Sequence, residues 1–231
     1  LSDGQRQWVV TAYALAFGAL LLLGGRIADY LGRKRTFMIG MVGFGAASLF
    51  GGLAQQGWEL ILARGLQGVF AALLAPAALA LLTVTFPSGR ERNTAFAVFG
   101  TVAGTGAAIG LLLGGFLTEF TDWRWCLLVN LFFVVVGLVG GALFLTESRA
   151  EGDNRYDVWG AITVTLGLGA LVYGFSLAEN GWGDPLTITF LALGVVLLGV
   201  FVWVESRVAQ PLLPLRVVAD RVRGGAFLIQ G

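Results

Sequence analysis

Long apolar stretches alternate with short polar ones along the whole chain. A helix that crosses the hydrocarbon core of a bilayer needs about 20 mostly apolar residues, since that core is roughly 30 Å thick. Open strands would leave backbone N–H and C=O groups unpaired in lipid, so the pattern predicts membrane-spanning helices. Seven stretches of suitable length occur, and an eighth begins at Gly224. The seven cover residues 9–25, 36–54, 60–87, 94–118, 125–146, 158–178 and 185–204.

The composition agrees with a chain that lies mostly in lipid. Hydrophobic residues make up 57% of the 231 residues and charged residues only 13%, whereas a soluble domain carries about 25% charged residues. The 35 glycines suit helices that pack closely within a membrane, where small side chains let backbones approach one another. The predicted fold class is an all-α polytopic membrane protein.

The basic residues predict which helix ends face the cytoplasm. Twelve of the 15 Lys and Arg residues are spread over the odd-numbered connections between the apolar stretches. Short cytoplasmic connections are enriched in these residues. Most of the seven Trp residues lie near the ends of apolar stretches, as is typical of the membrane interface. The odd-numbered connections are therefore predicted to be cytoplasmic, in a multi-pass protein of the cell membrane.

The charge and the rare residue types exclude several function classes. The net charge is only +1, so no basic surface favours nucleic acid as a partner. The chain has no His and a single Cys, Cys126, which excludes a disulfide within the chain, Cys/His metal sites and Ser–His catalysis. We therefore predict no enzyme activity, no cofactor and no metal. The start at Leu1 without Met and the end at Gly231 inside an apolar run predict a truncated sequence.

A motif rich in glycine and charge joins the first two apolar stretches. Residues 25–35 read GRIADYLGRKR. Gly25 and Gly32 permit a tight turn between antiparallel helices. Asp29 lies four residues before Arg33, a spacing at which a carboxylate and a guanidinium meet on a helix. Taken alone, the motif also fits an ordinary basic loop that only fixes the orientation in the membrane.

The same residues resemble the signature after the second helix of major facilitator superfamily transporters, Gly-x-x-x-Asp-x-x-Gly-Arg-(Arg/Lys). It is matched at Gly25, Asp29, Gly32, Arg33 and Lys34. The resemblance implies that this loop is a conformational latch, whose Asp caps a helix of the opposite half in one state. Asp29 and Arg33 would then hold the outward-open form. It also implies that the first apolar stretch is the second helix of the fold.

Arg64 is the one charged residue deep within an apolar stretch. It follows Trp58 by six residues, which is about 9 Å along a helix. A charge at that depth costs about 3 kcal/mol unless it is paired or hydrated, although an Arg can also extend to the headgroups as an anchor. Arg64, Gln67, Gly68 and Pro76 resemble a motif of the fourth helix of the superfamily. That resemblance implies that Arg64 faces the central cavity and tunes proton exchange with an acidic partner.

The fourth apolar stretch is a glycine-rich helix. Gly106, Gly110 and Gly114 recur every four residues, and Gly115 follows. On a helix this spacing gives one small-residue face, which predicts close packing against a neighbour. The glycines also resemble the antiporter signature of the fifth helix of the superfamily, Gly-x-x-x-Gly-Pro-x-x-Gly-Gly. Leu111 replaces its proline, whose kink is associated with antiport, so the direction of coupling stays open.

Two further strings resemble the fourteen-helix drug exporters of the superfamily. One runs from Trp123 to Cys126 and on to Asn130, and the other is Gln-Pro-Leu-Leu-Pro-Leu at 210–215. The sixth and seventh apolar stretches would be the helix pair that twelve-helix relatives lack. The resemblance implies three parts. They are an N-terminal transporter half without its first helix at 1–146, a cytoplasmic hinge and two-helix insert at 147–215, and the truncated start of the C-terminal half at 216–231.

These observations predict a secondary active transporter that exports small amphipathic or cationic compounds in exchange for protons. Its partners would be the small-molecule substrate, protons, the lipid bilayer and the missing C-terminal half of the same protein. The expected location is the inner membrane of a bacterium. A facilitator carrier of a nutrient or metabolite, with a different coupling ion or none, is one alternative. A membrane structural or sensor protein without transport is another.

Overall fold

The structure is a computed structural model that describes residues 3–149 and 158–207. Within these ranges the chain forms seven α-helices, one short 3-10 helix at Ala178–Asn180 and no strand. The all-α fold is confirmed, and each predicted apolar stretch coincides with one helix. The eighth stretch and residues 216–231 lie outside the described residues. The helices are α1 (Asp3–Leu31), α2 (Arg33–Gly52), α3 (Gly57–Thr85), α4 (Arg90–Phe120), α5 (Trp125–Phe144), α6 (Val158–Leu177) and α7 (Pro185–Glu205).

Six of these helices are long and apolar enough to cross a membrane by length and composition. Among the described helices, only α2 does not meet this criterion of length and composition. Six of the seven predicted spans therefore meet it. The first turn of α2 is Arg33, Lys34 and Arg35, and the rest of the helix contains seven glycines and alanines among larger apolar residues. The charged turn lowers the mean hydropathy of the helix.

The packing of α1 and α3 nevertheless requires α2 to run back across the bundle. The carbonyl oxygen of Val9 in α1 accepts a hydrogen bond from Arg64 in α3. Further along, Gly24 of α1 contacts the backbone of Ala72 in α3. Residue numbers therefore rise in the same direction along α1 and α3, and the two helices are parallel neighbours. Because α2 joins the end of α1 to the start of α3, its 20 residues return over about 30 Å.

Glycines allow the closest approach between α1 and α3. A Cβ added to Gly68 would lie 2.5 Å from the carbonyl oxygen of Tyr13. Gly24 packs against the backbone of Ala72 at least as closely. In both places the neighbour is backbone, which cannot turn away as a side chain can. Small residues at these two positions therefore set the distance between the helices.

The glycine face of α4 has no such close neighbour among the described residues, so the packing predicted from its spacing stays a prediction. No residue of α4 is buried. A Cβ added to Gly106, Gly110, Gly114 or Gly115 would meet no atom within 4 Å. Three of these glycines instead line a cavity of about 420 Å³ between α4 and α5. Spacing alone defines a face with small residues, but it does not supply a neighbour for that face within the described residues.

The helices α6 and α7 form an antiparallel pair that lies against α1. Across the pair, Gly167 approaches Leu198 and Gly194 approaches Leu171. Near the start of α1, Gln7 Nε2 donates hydrogen bonds to Glu179 Oε2 (2.6 Å) and to the carbonyl oxygen of Ser176 (3.3 Å). Thr11 Oγ1 lies 3.3 Å from Ser176 Oγ. The pair is thus attached to the first helix of the bundle.

The order of the helices gives a direct test of the membrane orientation. Ser88 lies between α3 and α4 and Gly183 between the short helix and α7, and both are exposed. In a protein with Cys126 replaced, we expect a membrane-impermeant thiol reagent to label Gly183→Cys from outside and Ser88→Cys only from inside. The basic residues place the two sites on opposite sides. Labelling of both from the same side would contradict this topology.

Candidate functional site

Arg64 lies between α1 and α3, held by groups of both helices. Its Nε donates to the carbonyl oxygen of Val9 at 3.1 Å. The guanidinium carbon lies 4.5 Å from the centre of the Tyr13 ring, a cation–π arrangement. Val9 is six residues into α1 and Arg64 seven residues into α3, so the two positions have similar depth. The side chain therefore reaches sideways to α1 and does not extend along α3 to the surface.

The buried side-chain amide of Gln67 connects Arg64 to α2. Arg64 Nη1 donates to Gln67 Oε1 at 2.7 Å, and Gln67 Nε2 donates to Ser48 Oγ of α2 at 2.7 Å. Gln67 and Ser48 are both fully buried. An amide fixed at both ends holds its acceptor oxygen in one direction, so Ser48 and Gln67 orient the guanidinium. Sequence reasoning found Gln67 but missed Ser48 and Tyr13, because their spacing to Arg64 shows no pattern along the chain.

The guanidinium keeps hydrogen-bonding capacity for a further group. Arg carries five N–H donors, and Arg64 uses one on Val9 and one on Gln67. Within residues 3–149 and 158–207, no hydrogen bond from Nη2 is present. A planar fork with free donors suits a carboxylate, which accepts two parallel hydrogen bonds from it. Arg64, Gln67 and Ser48 thus form one polar site within otherwise apolar helices, and Gly68 lets the backbone of Tyr13 approach beside it.

Of the signature-like residues, Gly25 and Asp29 lie within the last two turns of α1, Gly32 lies between the helices, and Arg33 and Lys34 begin α2. Arg33 Nη2 is 3.0 Å from Asp29 Oδ1, and both side chains are partly exposed. The pairing expected from the spacing is present, but not on one continuous helix. The chain breaks at Gly32, where φ is +110°, a conformation that side chains other than that of glycine rarely adopt. The ion pair therefore spans the turn from α1 to α2.

Two of the singled-out motifs meet in one groove. Gly25 and Asp29 of α1 line it on one side, and Pro76 and Leu79 of α3 on the other. The groove has a volume of about 680 Å³, and it lies at the end of α1 that the basic residues predict to be cytoplasmic. The structure does not bring Arg64 to this groove, because Arg64 lies three turns earlier on α3. The candidate residues thus form two sites, one at each end of the α1–α3 pair.

The glycine helix contributes a third, separate feature. Gly106, Gly110 and Gly114 face Cys126 and Asn130 of α5 across their shared cavity. Cys126 Sγ donates to the carbonyl oxygen of Gly114 at 3.6 Å. The helix runs without a break through Leu111, since it contains no proline. No polar side chain from this helix reaches the Arg64 site in the described residues.

Six helices that are long and apolar enough to span define a multi-pass membrane protein. The sequence pattern of the Major Facilitator Superfamily matches residues 1–212, and the chain belongs to this superfamily. The membership of this superfamily that the first connection predicts is therefore confirmed.

Its relatives include proteins named for resistance and export. The chain is 56% identical over 231 residues to the puromycin resistance protein of Streptomyces alboniger, covering all of this chain and 46% of that protein. It is 45% identical over 215 residues to the cephamycin export protein of Amycolatopsis lactamdurans, covering 91% of this chain and 44% of that protein. An uncharacterized MFS-type transporter of Mycobacterium tuberculosis is 42% identical over 226 residues, 96% of this chain and 42% of that protein. The chain therefore spans less than half the length of these relatives.

Proposed function

We propose that this chain is part of a secondary active transporter that exports small amphipathic or cationic compounds in exchange for protons. The observation that carries the proposal is the Arg64 site. A guanidinium is held within the membrane-spanning part by Val9, Tyr13 and Gln67, and its Nη2 donors remain for another group. Ionisable residues at such depth are costly and mark substrate or proton pathways.

The site suits proton coupling because its charge acts in surroundings of low dielectric constant. A carboxylate near a fixed positive charge is stabilised in its ionised form. Proton binding to that carboxylate would weaken its contact with Arg64, and this couples protonation to a change in helix packing. The acidic partner is proposed to come from a part of the protein outside this chain. Within the described residues, the side chains that contact Arg64 carry no carboxylate.

The relatives support export over import. Two of them carry resistance or export in their names, for puromycin and for cephamycin. We infer the same direction of transport for this protein. In transporters of this kind two halves rock about a site near the middle of the membrane. Residues 1–146 are proposed as the helices of one half, and α6 and α7 as an inserted pair that moves with α1.

Transport by the full-length protein in inverted membrane vesicles tests the proposal. We expect puromycin to accumulate in vesicles when a pH gradient, acidic inside, is imposed. A protonophore should abolish the accumulation. Vesicles from the same cells without the protein are the control for leakage and passive binding.

The outcomes separate the proposed function from its alternatives. Accumulation that is independent of the pH gradient would contradict proton coupling and favour a carrier with another ion or none. The unbroken helix at Leu111, where an antiporter proline is absent, is the observation that favours this second candidate. If puromycin and a panel of cationic and amphipathic compounds all fail to move, the export function is wrong.

A further inference from the structure

Polar side chains near the start of α1 bind the end of α6 and the short 3-10 helix that follows it. Gln7 Nε2 donates to Glu179 Oε2 at 2.6 Å and to the carbonyl oxygen of Ser176 at 3.3 Å. One turn further along α1, Thr11 Oγ1 lies 3.3 Å from Ser176 Oγ, within hydrogen-bond distance. We call these four residues the α1–α6 contact. Gln7, Thr11 and Ser176 are partly buried, so the contact lies between packed helices.

Aromatic and apolar contacts continue this attachment along both helices. The ring centres of Trp8 and Tyr173 are 5.8 Å apart, and Tyr173 meets Phe190 of α7 edge to face at 4.7 Å. Deeper in the bundle, a Cβ added to Gly18 would lie 3.6 Å from Val172 Cγ2, an ordinary packing distance. The inserted pair α6–α7 is therefore packed against about three turns of α1.

The other side of the same segment of α1 carries the partners of Arg64. Val9 supplies a carbonyl oxygen and Tyr13 an aromatic ring, and each follows a residue of the α1–α6 contact by two positions. Two residues turn a helix by about 200°, so Gln7 and Thr11 lie opposite Val9 and Tyr13. This segment of α1 thus lies between α6 on one side and the guanidinium of α3 on the other.

The turn that contains Val9 has its lateral support from α6. The closest backbone approach between α1 and α3 in this region lies one turn deeper, where Gly68 meets the carbonyl oxygen of Tyr13. Gln7 and Thr11 are on either side of Val9 in the chain, and both are bound to α6. A movement of α1 away from Arg64 would therefore have to carry α6 along or break these hydrogen bonds.

We propose that the inserted pair α6–α7 positions Val9 and Tyr13 around Arg64 through the α1–α6 contact. Gln7 and Thr11 are then positioning residues, because their hydrogen bonds in the described structure go to α6 and the short helix after it and they act on the guanidinium through the backbone of α1. This role rests on the proposed function, since coupling through Arg64 is part of it. It gives the inserted pair a part in proton coupling.

A fluorine label on the ring at position 13 reports the contact with Arg64 without a substrate. In the full-length protein in lipid nanodiscs, a fluorotyrosine would replace Tyr13, and the Arg64→Ala protein would mark the resonance of a ring without a guanidinium beside it. Single hydrogen bonds between membrane helices contribute little, so Gln7→Leu and Thr11→Val are combined. We expect fluorine NMR of this double variant to show a resonance shifted from the parent position toward the Arg64→Ala position.

Thr163→Val is the matched control on the inserted pair. The hydroxyl of Thr163 donates to the carbonyl oxygens of Trp159 and Gly160 in its own helix, so the substitution removes a hydroxyl that does not reach α1. We expect the parent resonance. If the double variant does not insert, Ser176→Ala removes the partner of Thr11 from the α6 side, and the same measurement should show a smaller shift in the same direction.

Transport separates positioning from general support of the fold. We expect exchange by the Gln7→Leu/Thr11→Val protein to fall about threefold, with the remaining exchange shifted to higher pH, as for Arg64→Ala but less. In the Arg64→Ala background the same two substitutions should change exchange little, because they act through Arg64. Independent effects would add in free energy, so the two losses would multiply.

Two results would overturn the positioning role. An unchanged fluorine resonance in the double variant, even with lower thermal stability, would show that the α1–α6 contact only supports the fold. A full further loss of exchange in the Arg64→Ala background would show that the contact acts independently of Arg64. A shifted resonance in a protein that exchanges no compound would instead contradict the proposed export function and leave the positioning of Val9 and Tyr13 standing.

Discussion

Exchange of protons for substrate is expected to fall about tenfold or more in Arg64→Ala, which corresponds to at least about 1.4 kcal/mol of lost coupling. The substitution removes the donors that the site keeps for a carboxylate, together with the contacts to Val9, Tyr13 and Gln67. Because nearby positive charge favours an ionised carboxylate, the remaining exchange should shift to higher pH. Transport in proteoliposomes over a range of pH, with an imposed gradient, measures both effects.

Arg64→Lys separates the charge from the shape of the side chain. An ammonium keeps the positive charge but lacks the planar fork, so we expect this protein to retain more exchange than Arg64→Ala. It should also keep the pH profile closer to that of the parent. If Arg64→Ala inserts normally and transports with the parent's rate and pH dependence, Arg64 is only an anchor in the membrane.

Gly68→Ala is expected to destabilise the protein by about 1–3 kcal/mol, the usual cost of overpacking a close contact. The added methyl group would lie 2.5 Å from the carbonyl oxygen of Tyr13 and 2.9 Å from Ala16 Cβ, so α1 and α3 would have to separate. The same movement would carry Val9 and Tyr13 away from Arg64, and transport should fall with stability. Thermal unfolding of the purified full-length protein, followed by size-exclusion chromatography, measures the change.

Gly65→Ala is the matched control on the same helix, three residues away. A Cβ at Gly65 would meet no atom within 4 Å, and alanine is favoured over glycine within a helix by up to about 1 kcal/mol. We therefore expect unchanged or slightly higher stability. Equal destabilisation by Gly65→Ala and Gly68→Ala would contradict a close α1–α3 contact at Gly68.

The glycine positions show what spacing along the chain can and cannot predict. The glycines of α4 repeat every four residues, yet a Cβ added to Gly106 or Gly110 would meet no atom within 4 Å. The glycines that approach the backbone of another helix most closely, Gly24 and Gly68, belong to no such repeat. The periodicity of the glycines determines which face of a helix carries small side chains. Whether another backbone lies there depends on how distant segments pack, and that is not encoded locally.

The Arg64 site was only partly predictable for the same reason. Its depth and the motif Arg-x-x-Gln-Gly single out Arg64 and Gln67 from the sequence, because an isolated charge in an apolar stretch is costly. Tyr13 and Ser48 come from α1 and α2, 51 and 16 residues before Arg64, and their types are common in such helices. Only the parallel packing of α1 and α3, with α2 beside them, brings Tyr13 to the guanidinium and Ser48 to Gln67.

By itself the sequence determined the helices and the superfamily, and it predicts their orientation, because these depend on local composition and short motifs. Apolar length sets a spanning helix, the basic connections set its direction, and the residues from Gly25 to Lys34 carry the signature. Tertiary structure decided the contacts between segments. It placed Glu147, which the sequence assigned to a hinge, on the first turn of α2. A carboxylate binds helix N–H groups only where the fold brings a helix start within its reach.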